Sequence, residues 1–256
     1  MTTTTLTAPI ASAAPRNRIL SVIRLHFVNP MTILGLPWAI LGFIFLANLA
    51  IWAIIVAATP VGDEGEVGAG LGWSGAVSFI FVYMMVVSVQ SISATFPFAL
   101  GFSVTRREYY IGTSIVFVLL ALIFSVGLSV LSAIEDATNG WGLGGRMFTA
   151  NYFGDGSALD HWFIYFALLL FFLFTGSAAA AVWVRWKSIG ITAYFVVIGI
   201  LLIGLLALVG LTNSWVAVGE WFVAQGWVGS YAWSLVLTAV GAIVGFLILR
   251  RATPKS

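Results

Sequence analysis

The chain has 256 residues, of which 61% are hydrophobic and only 8% charged, with a formal net charge of +2. A water-soluble domain carries about 25% charged residues, so this much apolar surface exceeds what one soluble core can hide, and the solvent is lipid. Cysteine is absent, which excludes disulfides and thiolate metal sites, and the two isolated histidines, His26 and His161, are too few for a haem-ligating bundle.

Residues 1–14 read as a disordered cytoplasmic tail. The Ala-Ser-Ala-Ala stretch from Ala11 resembles a signal-peptide cleavage site, but no charged start or apolar run precedes it. Between Pro15 and Pro30 the string RNRILSVIRLHFVN places Asn17, Ser21 and Arg24 on one helical face and Ile19, Ile23 and Phe27 on another. That pattern fits a helix lying in the membrane interface, arginines toward anionic headgroups; the alternative is a plain cluster of topogenic charge. Pro30 and Pro37 are expected to break the chain before it enters the membrane.

Crossing about 30 Å of hydrocarbon at about 1.5 Å per residue requires about 20 apolar residues. Six runs without Asp, Glu, Lys or Arg qualify: Leu34 to Ala58, Ala76 to Leu100, Thr113 to Ile134, Trp162 to Val184, Ile189 to Leu211 and Tyr231 to Leu249. The expected fold is all-α and polytopic, with a transmembrane domain over 15–249 and a short cytoplasmic tail over 250–256. The first run holds Asn48, and the acidic, glycine-rich connector 59–75 follows it. The second run has Ser88, Ser91 and Thr95 on one face, Tyr83 and Gln90 on another, and Pro97, an expected kink, near its end. Small and hydroxyl residues in such helices serve close packing, as do Gly241 and Gly245 in the sixth run, whereas Asn48 and Gln90 need a buried partner or water.

After the second run, GFSVTRREYYIG is short and polar. Thr105 can cap a short helix whose first turn holds Glu108, near the positive end of the helix dipole. Such a helix, parallel to the membrane, would present Arg106, Arg107 and Glu108 to a cytosolic partner; paired arginines also suit any cytoplasmic turn. Residues 135–161 form a longer outer loop. The connector TNSWVAVGEWFVAQGWVGS is aromatic, with Glu220 its only charge, and reads either as a broken helical hairpin re-entering the membrane edge or as an interfacial loop studded with tryptophan.

Connectors alternate in sign. Arg16, Arg18, Arg24, Arg106, Arg107, Arg185, Lys187, Arg250, Arg251 and Lys255 fall on one side, while Asp63, Glu64, Glu66, Glu135, Asp136, Asp155, Asp160 and Glu220 fall on the other with Arg146. Lys and Arg near span ends resist translocation, so the basic side, with both termini, is expected in the cytoplasm of a multi-pass cell (plasma or inner) membrane protein. No Gly-Lys-Ser/Thr phosphate loop is present, no carboxylate, lysine or arginine lies within a run, and no metalloprotease spacing occurs. The charge pattern gives no reason to expect nucleic acid as a partner.

The string FPFALGFSVTRREYYIGTS is similar to the Gly-x-x-x-(Thr/Ser)-Arg-Arg-x-(Phe/Tyr)-x-x-Gly turn of permease subunits in the type-2 ABC transporter superfamily. The basic segment before the first run resembles that family's elbow helix, and the aromatic connector its re-entrant outer segment. The resemblance implies a transport subunit, not itself an enzyme, that moves a hydrophobic or amphipathic substrate such as a drug, antibiotic or peptide by alternating access. It implies a cytosolic ATP-binding ABC subunit carrying the ATP and Mg, a second permease subunit, and no cofactor on this chain. It also implies that Arg106, Arg107, Glu108 and Tyr109 contact the ATPase, and that Asn48, Tyr83, Gln90 and Tyr194 line the substrate path. Two other functions are open to the same chain: a membrane scaffold or immunity protein that binds a ligand without pumping it, and a lipid-acting enzyme using Asp155, Asp160 and His161.

Overall fold

In lipid, backbone N–H and C=O groups must be bonded within the segment that carries them, which a helix does unaided. The computed structural model describes residues 17–60 and 64–252, with residues 64–66 described by their backbone alone. Expectations for the N-terminal tail, Arg16, Asp63 and the tail beyond residue 252, with Lys255, lie outside the described residues. Among the described residues there is no strand. The helices are α1 (Arg18–His26), α2 (Leu36–Ala58), α3 (Glu64–Leu71), α4 (Ser78–Gln90), α5 (Phe96–Gly101), α6 (Arg106–Ala137), α7 (Ala158–Leu211) and α8 (Trp215–Leu249). Five helical stretches among these residues are long and apolar enough to cross a membrane: Met31–Ala58, Ser78–Gly101, Arg106–Ala137, Ala158–Leu211 and Trp215–Leu249.

α1 is capped by the Asn17 side chain, which accepts from the Leu20 N–H. It buries Val22 and His26 and leaves Leu20 and Arg24 exposed. Val22 sits on Gly112 of α6, where an added Cβ would lie 2.8 Å from the Val22 side chain. The missing side chain therefore lets α1 lie close against α6.

Pro37 and Pro97 do not break their helices. Each is preceded by a single π turn, Met31–Gly35 before Pro37 and Ser91–Thr95 before Pro97. A proline ring clashes with the carbonyl four residues earlier, here Ile33 and Ser93, and both carbonyls lie inside the widened turns. The chain thus winds from Met31 into α2, and from α4 into α5, without leaving the helical path.

α6 is the central pillar. Its buried stripe includes Tyr109, Val116, Phe117, Leu120, Phe124 and Leu128, at helical spacing. Phe117 meets Phe174 of α7 edge-on at 5.6 Å, and Trp38 of α2 stacks on Phe124 at 5.1 Å. Trp38 fits there because Gly127 leaves room for its ring. Gly176 brings α7 against α4, where a Cβ would stand 2.2 Å from Ser88 Oγ and 2.7 Å from the Met85 carbonyl oxygen. The Gly241 and Gly245 pair packs on the Phe174 and Ala178 backbone of α7, so this spacing serves contact within the chain.

The 54 residues of α7 would span about 81 Å if straight. They do not, because Lys187 leaves the helical region at φ 56°, ψ −143°. A Cβ on Gly190 would lie 3.3 Å from Val182 Cγ1, although eight residues of continuous helix are about 12 Å long. The chain reverses at Lys187. α8 reverses likewise at Gly226 (φ 66°, ψ 178°). The rings of Trp221 and Trp233 are 5.6 Å apart, and Ser230 Oγ donates to the Phe222 carbonyl. The aromatic connector is therefore a helical hairpin, not an irregular loop.

Candidate functional site

At the arginine-rich end, three elements meet on the turn between α5 and α6. Ser103, at φ 59°, reverses the chain. Thr105 then opens α6 with a capping box: its hydroxyl accepts from the Glu108 N–H at 3.2 Å, and the Glu108 carboxylate accepts from the Thr105 N–H at 3.0 Å and hydroxyl at 2.7 Å. Arg18 of α1 reaches across, donating to the Ser103 carbonyl at 3.0 Å with the same guanidinium 3.8 Å from Glu108. Arg106 donates to the Arg250 carbonyl at 3.1 Å, tying the turn to the end of α8.

The expected short helix is instead the first turn of the 32-residue α6. Nothing ends it after Tyr109, because Gly112 is used for the close approach of Val22 and stays helical. Arg107 is exposed, and Arg106 and Glu108 are half-buried. Tyr109 does not share their surface: it is fully buried, its hydroxyl donates to the Ser91 carbonyl, and its ring packs on Phe96. His26 is buried 6.0 Å from the Tyr109 ring, and its Nδ1 donates to the Val22 carbonyl. Burial pushes the His26 imidazole below its ordinary range, with the Val22 hydrogen bond working against that shift.

The four residues nominated for a substrate path lie on different helices. Asn48 of α2 donates to Ile44 O at 3.2 Å and accepts from the Ser74 hydroxyl at 3.2 Å, so it bonds its own helix to the segment between α3 and α4. The Tyr83 hydroxyl donates to Thr32 O, joining α4 to the start of the first spanning stretch. Gln90 is exposed. Tyr194 lies half-buried on the second arm of α7, edge-on to Phe195. Among the described residues no hydrogen bond joins any two of the four.

Sequence reasoning counted Glu135 only as an outer charge. It is 1% exposed and is the anchor of the loop that follows it. Oε2 accepts from Trp141 Nε1 and the Met147 N–H, both at 3.0 Å. Oε1 accepts from the Phe148 N–H at 2.9 Å, the Thr149 N–H at 2.7 Å and the Thr149 hydroxyl at 2.8 Å. Its only signal in the sequence is its place at the end of an apolar run, which Asp136 shares while being exposed.

The connectors after α3 and α6 and the α8 hairpin border a polar cavity of about 470 Å³ between Gly72, Arg146, Asn151, Asp155 and Trp227. Trp227 lies against the Gly154 backbone, where a Cβ would be 2.0 Å from the indole. Asp155 pairs with Arg146 at 2.9 Å, Asp160 closes a capping box with Ser157, and His161 Nε2 lies 3.2 Å from the Gly154 carbonyl. The three residues weighed as an acid–base set each hold the backbone or a neighbouring charge. No family model matches the chain, and no curated protein and no solved structure matches it.

Proposed function

We propose that the chain is the permease subunit of an ATP-driven exporter of the type-2 ABC class. In this reading it crosses the membrane six times, with its arginine-rich end and both termini in the cytoplasm. A separate cytosolic subunit supplies the ATPase, and a second permease completes the path. α1 is then the elbow helix in the cytoplasmic interface, the two arms of α7 are the fourth and fifth spans, and residues 215–225 with the start of 227–249 form the re-entrant outer hairpin.

The observation that carries the reading is the clamp on the turn before α6. A partner pressing on Arg106, Arg107 and Glu108 acts on a rigid helix end bonded to α1 through Arg18 and to α8 through Arg106. Movement there is delivered to three elements together, as a rigid-body switch between two packings requires. The six apolar runs carry no Asp, Glu, Lys or Arg, which suits a hydrophobic or amphipathic cargo better than a charged one. Asn48, Tyr83, Gln90 and Tyr194 would come together only across two permease copies.

Tyr109 is left intact in the test because it belongs to the buried core. Arg106→Ala, Arg107→Ala and Glu108→Ala combined should leave membrane insertion unchanged and abolish both transport and co-purification of an ATPase from native membranes. A wild-type chain that co-purifies no ATPase would favour a binding or immunity protein instead, and a triple variant that still holds the ATPase would overturn the coupling assignment.

A further inference from the structure

On the outside of the bundle, α6 and α8 enclose an open groove of about 590 Å³. One wall is a stripe of α6 at helical spacing, Arg107, Ile111, Ser114, Ile115 and Val118, and Phe246 of α8 closes the other side. The neighbouring Tyr110 hydroxyl is already bonded to the Ala242 carbonyl at 2.7 Å, so it stiffens the groove without being offered to a ligand. From Arg107 to Val118 the stripe runs eleven residues, about 17 Å. One leaflet of hydrocarbon is about 15 Å deep, half of the whole core.

The groove is thus apolar over a length close to that of one leaflet and ends at a single cation. The ion pairs of Arg18 with Glu108 and of Arg146 with Asp155 do not engage Arg107. A long apolar slot ending in one exposed guanidinium complements a molecule with a chain at one end and a phosphate at the other. We propose that the groove is a binding site for an anionic glycerophospholipid of the leaflet on the arginine side, its phosphate on Arg107 and one acyl chain along Ile111, Ile115 and Val118. A neutral lipid would match the walls and leave Arg107 without its counter-charge. The site does not depend on the exporter reading; the two share Arg107, and a lipid phosphate held there would leave Arg106 and Glu108 as the surface offered to an ATPase.

The test uses the full chain in mild detergent, stripped of lipid and titrated with phosphatidylglycerol or phosphatidylcholine of identical acyl chains, with bound lipid counted by native mass spectrometry. The wild type should retain phosphatidylglycerol about fivefold better, the effect of one arginine near a headgroup. Arg107→Gln should remove the preference, Arg107→Lys should keep most of it, and Arg146→Gln, a change at an arginine far from the groove and already paired with Asp155, should behave as wild type. Equal retention of the two lipids by the wild type, an unchanged preference in Arg107→Gln, or an equal loss in Arg146→Gln would each overturn the site. Binding of glycerol phosphate, which lacks the acyl chains, as tightly as phosphatidylglycerol would also overturn it, since a free anion would then be the ligand.

Discussion

At Glu135 two oxygens meet five donors. Glutamine has the same shape but only one acceptor oxygen, so Glu135→Gln must turn its amide toward at least two of those donors whichever way it is flipped. Losing two charge-assisted bonds in a buried setting should cost about 3 kcal/mol. The expected outcome is a lower unfolding temperature in detergent and faster proteolysis at residues 141–149, with the arginine end unaffected; a loss below about 1 kcal/mol would mean that water or rearrangement satisfies the freed groups. Glu135 and Asp136 could not be told apart in the sequence, because adjacent helix positions differ by about 100° in direction and burial depends on which neighbour lies there. Tyr109 taught the reverse lesson: it sits in the most motif-like string of the chain and points into the core.

Among the elements, the ends of spans were legible and their joints were not. Apolar runs from Leu34 to Ala58 and Ala76 to Leu100 match the helical stretches Met31–Ala58 and Ser78–Gly101 within a few residues. The two π turns had no separate signature, since they arise from the clash between a proline and a carbonyl four residues back, and the sequence supplied only the proline. Helix contacts through glycine are more predictive. Gly176→Ala would press a methyl group toward the Met85 carbonyl, a backbone atom that cannot rotate aside. Separation of α4 from α7 should cost about 1–3 kcal/mol, read as a drop in unfolding temperature. Gly199→Ala, where an added Cβ meets nothing within 4 Å, serves as the control expected to change little.

For the whole molecule, the second arm of α7 is informative because it is apolar on every side. Ile189 is 83% exposed and Leu211 85% exposed, with Ile200, Leu201, Leu202 and Ile203 open between them. Consecutive residues of a helix face all directions, so this arm cannot be half-submerged in water. Six passes follow if its reversal at Lys187 lies on the arginine side. The chain has no cysteine, so single introduced cysteines report without background. Phe102→Cys and Ser188→Cys should react with an impermeant thiol reagent from the cytoplasmic side only, and Ala137→Cys and Thr212→Cys from the opposite side only. Reaction of Ser188→Cys on the same side as Thr212→Cys would remove the second arm as a span.

Membrane character, span limits and the partition of charge were determined by the sequence alone, because insertion responds to hydropathy and charge summed over about 20 neighbouring residues. The clamp at the arginine end was decided only in three dimensions. Arg18 meets Ser103 across 85 positions of sequence, and Arg106 meets Arg250 across 144. No local pattern encodes such distances; they follow from how glycines such as Gly112 and Gly176 let particular helices approach. The turn expected to hold a short helix is therefore the braced end of a long one that displays Arg106, Arg107 and Glu108, with Tyr109, which the resemblance adds to them, as its buried root.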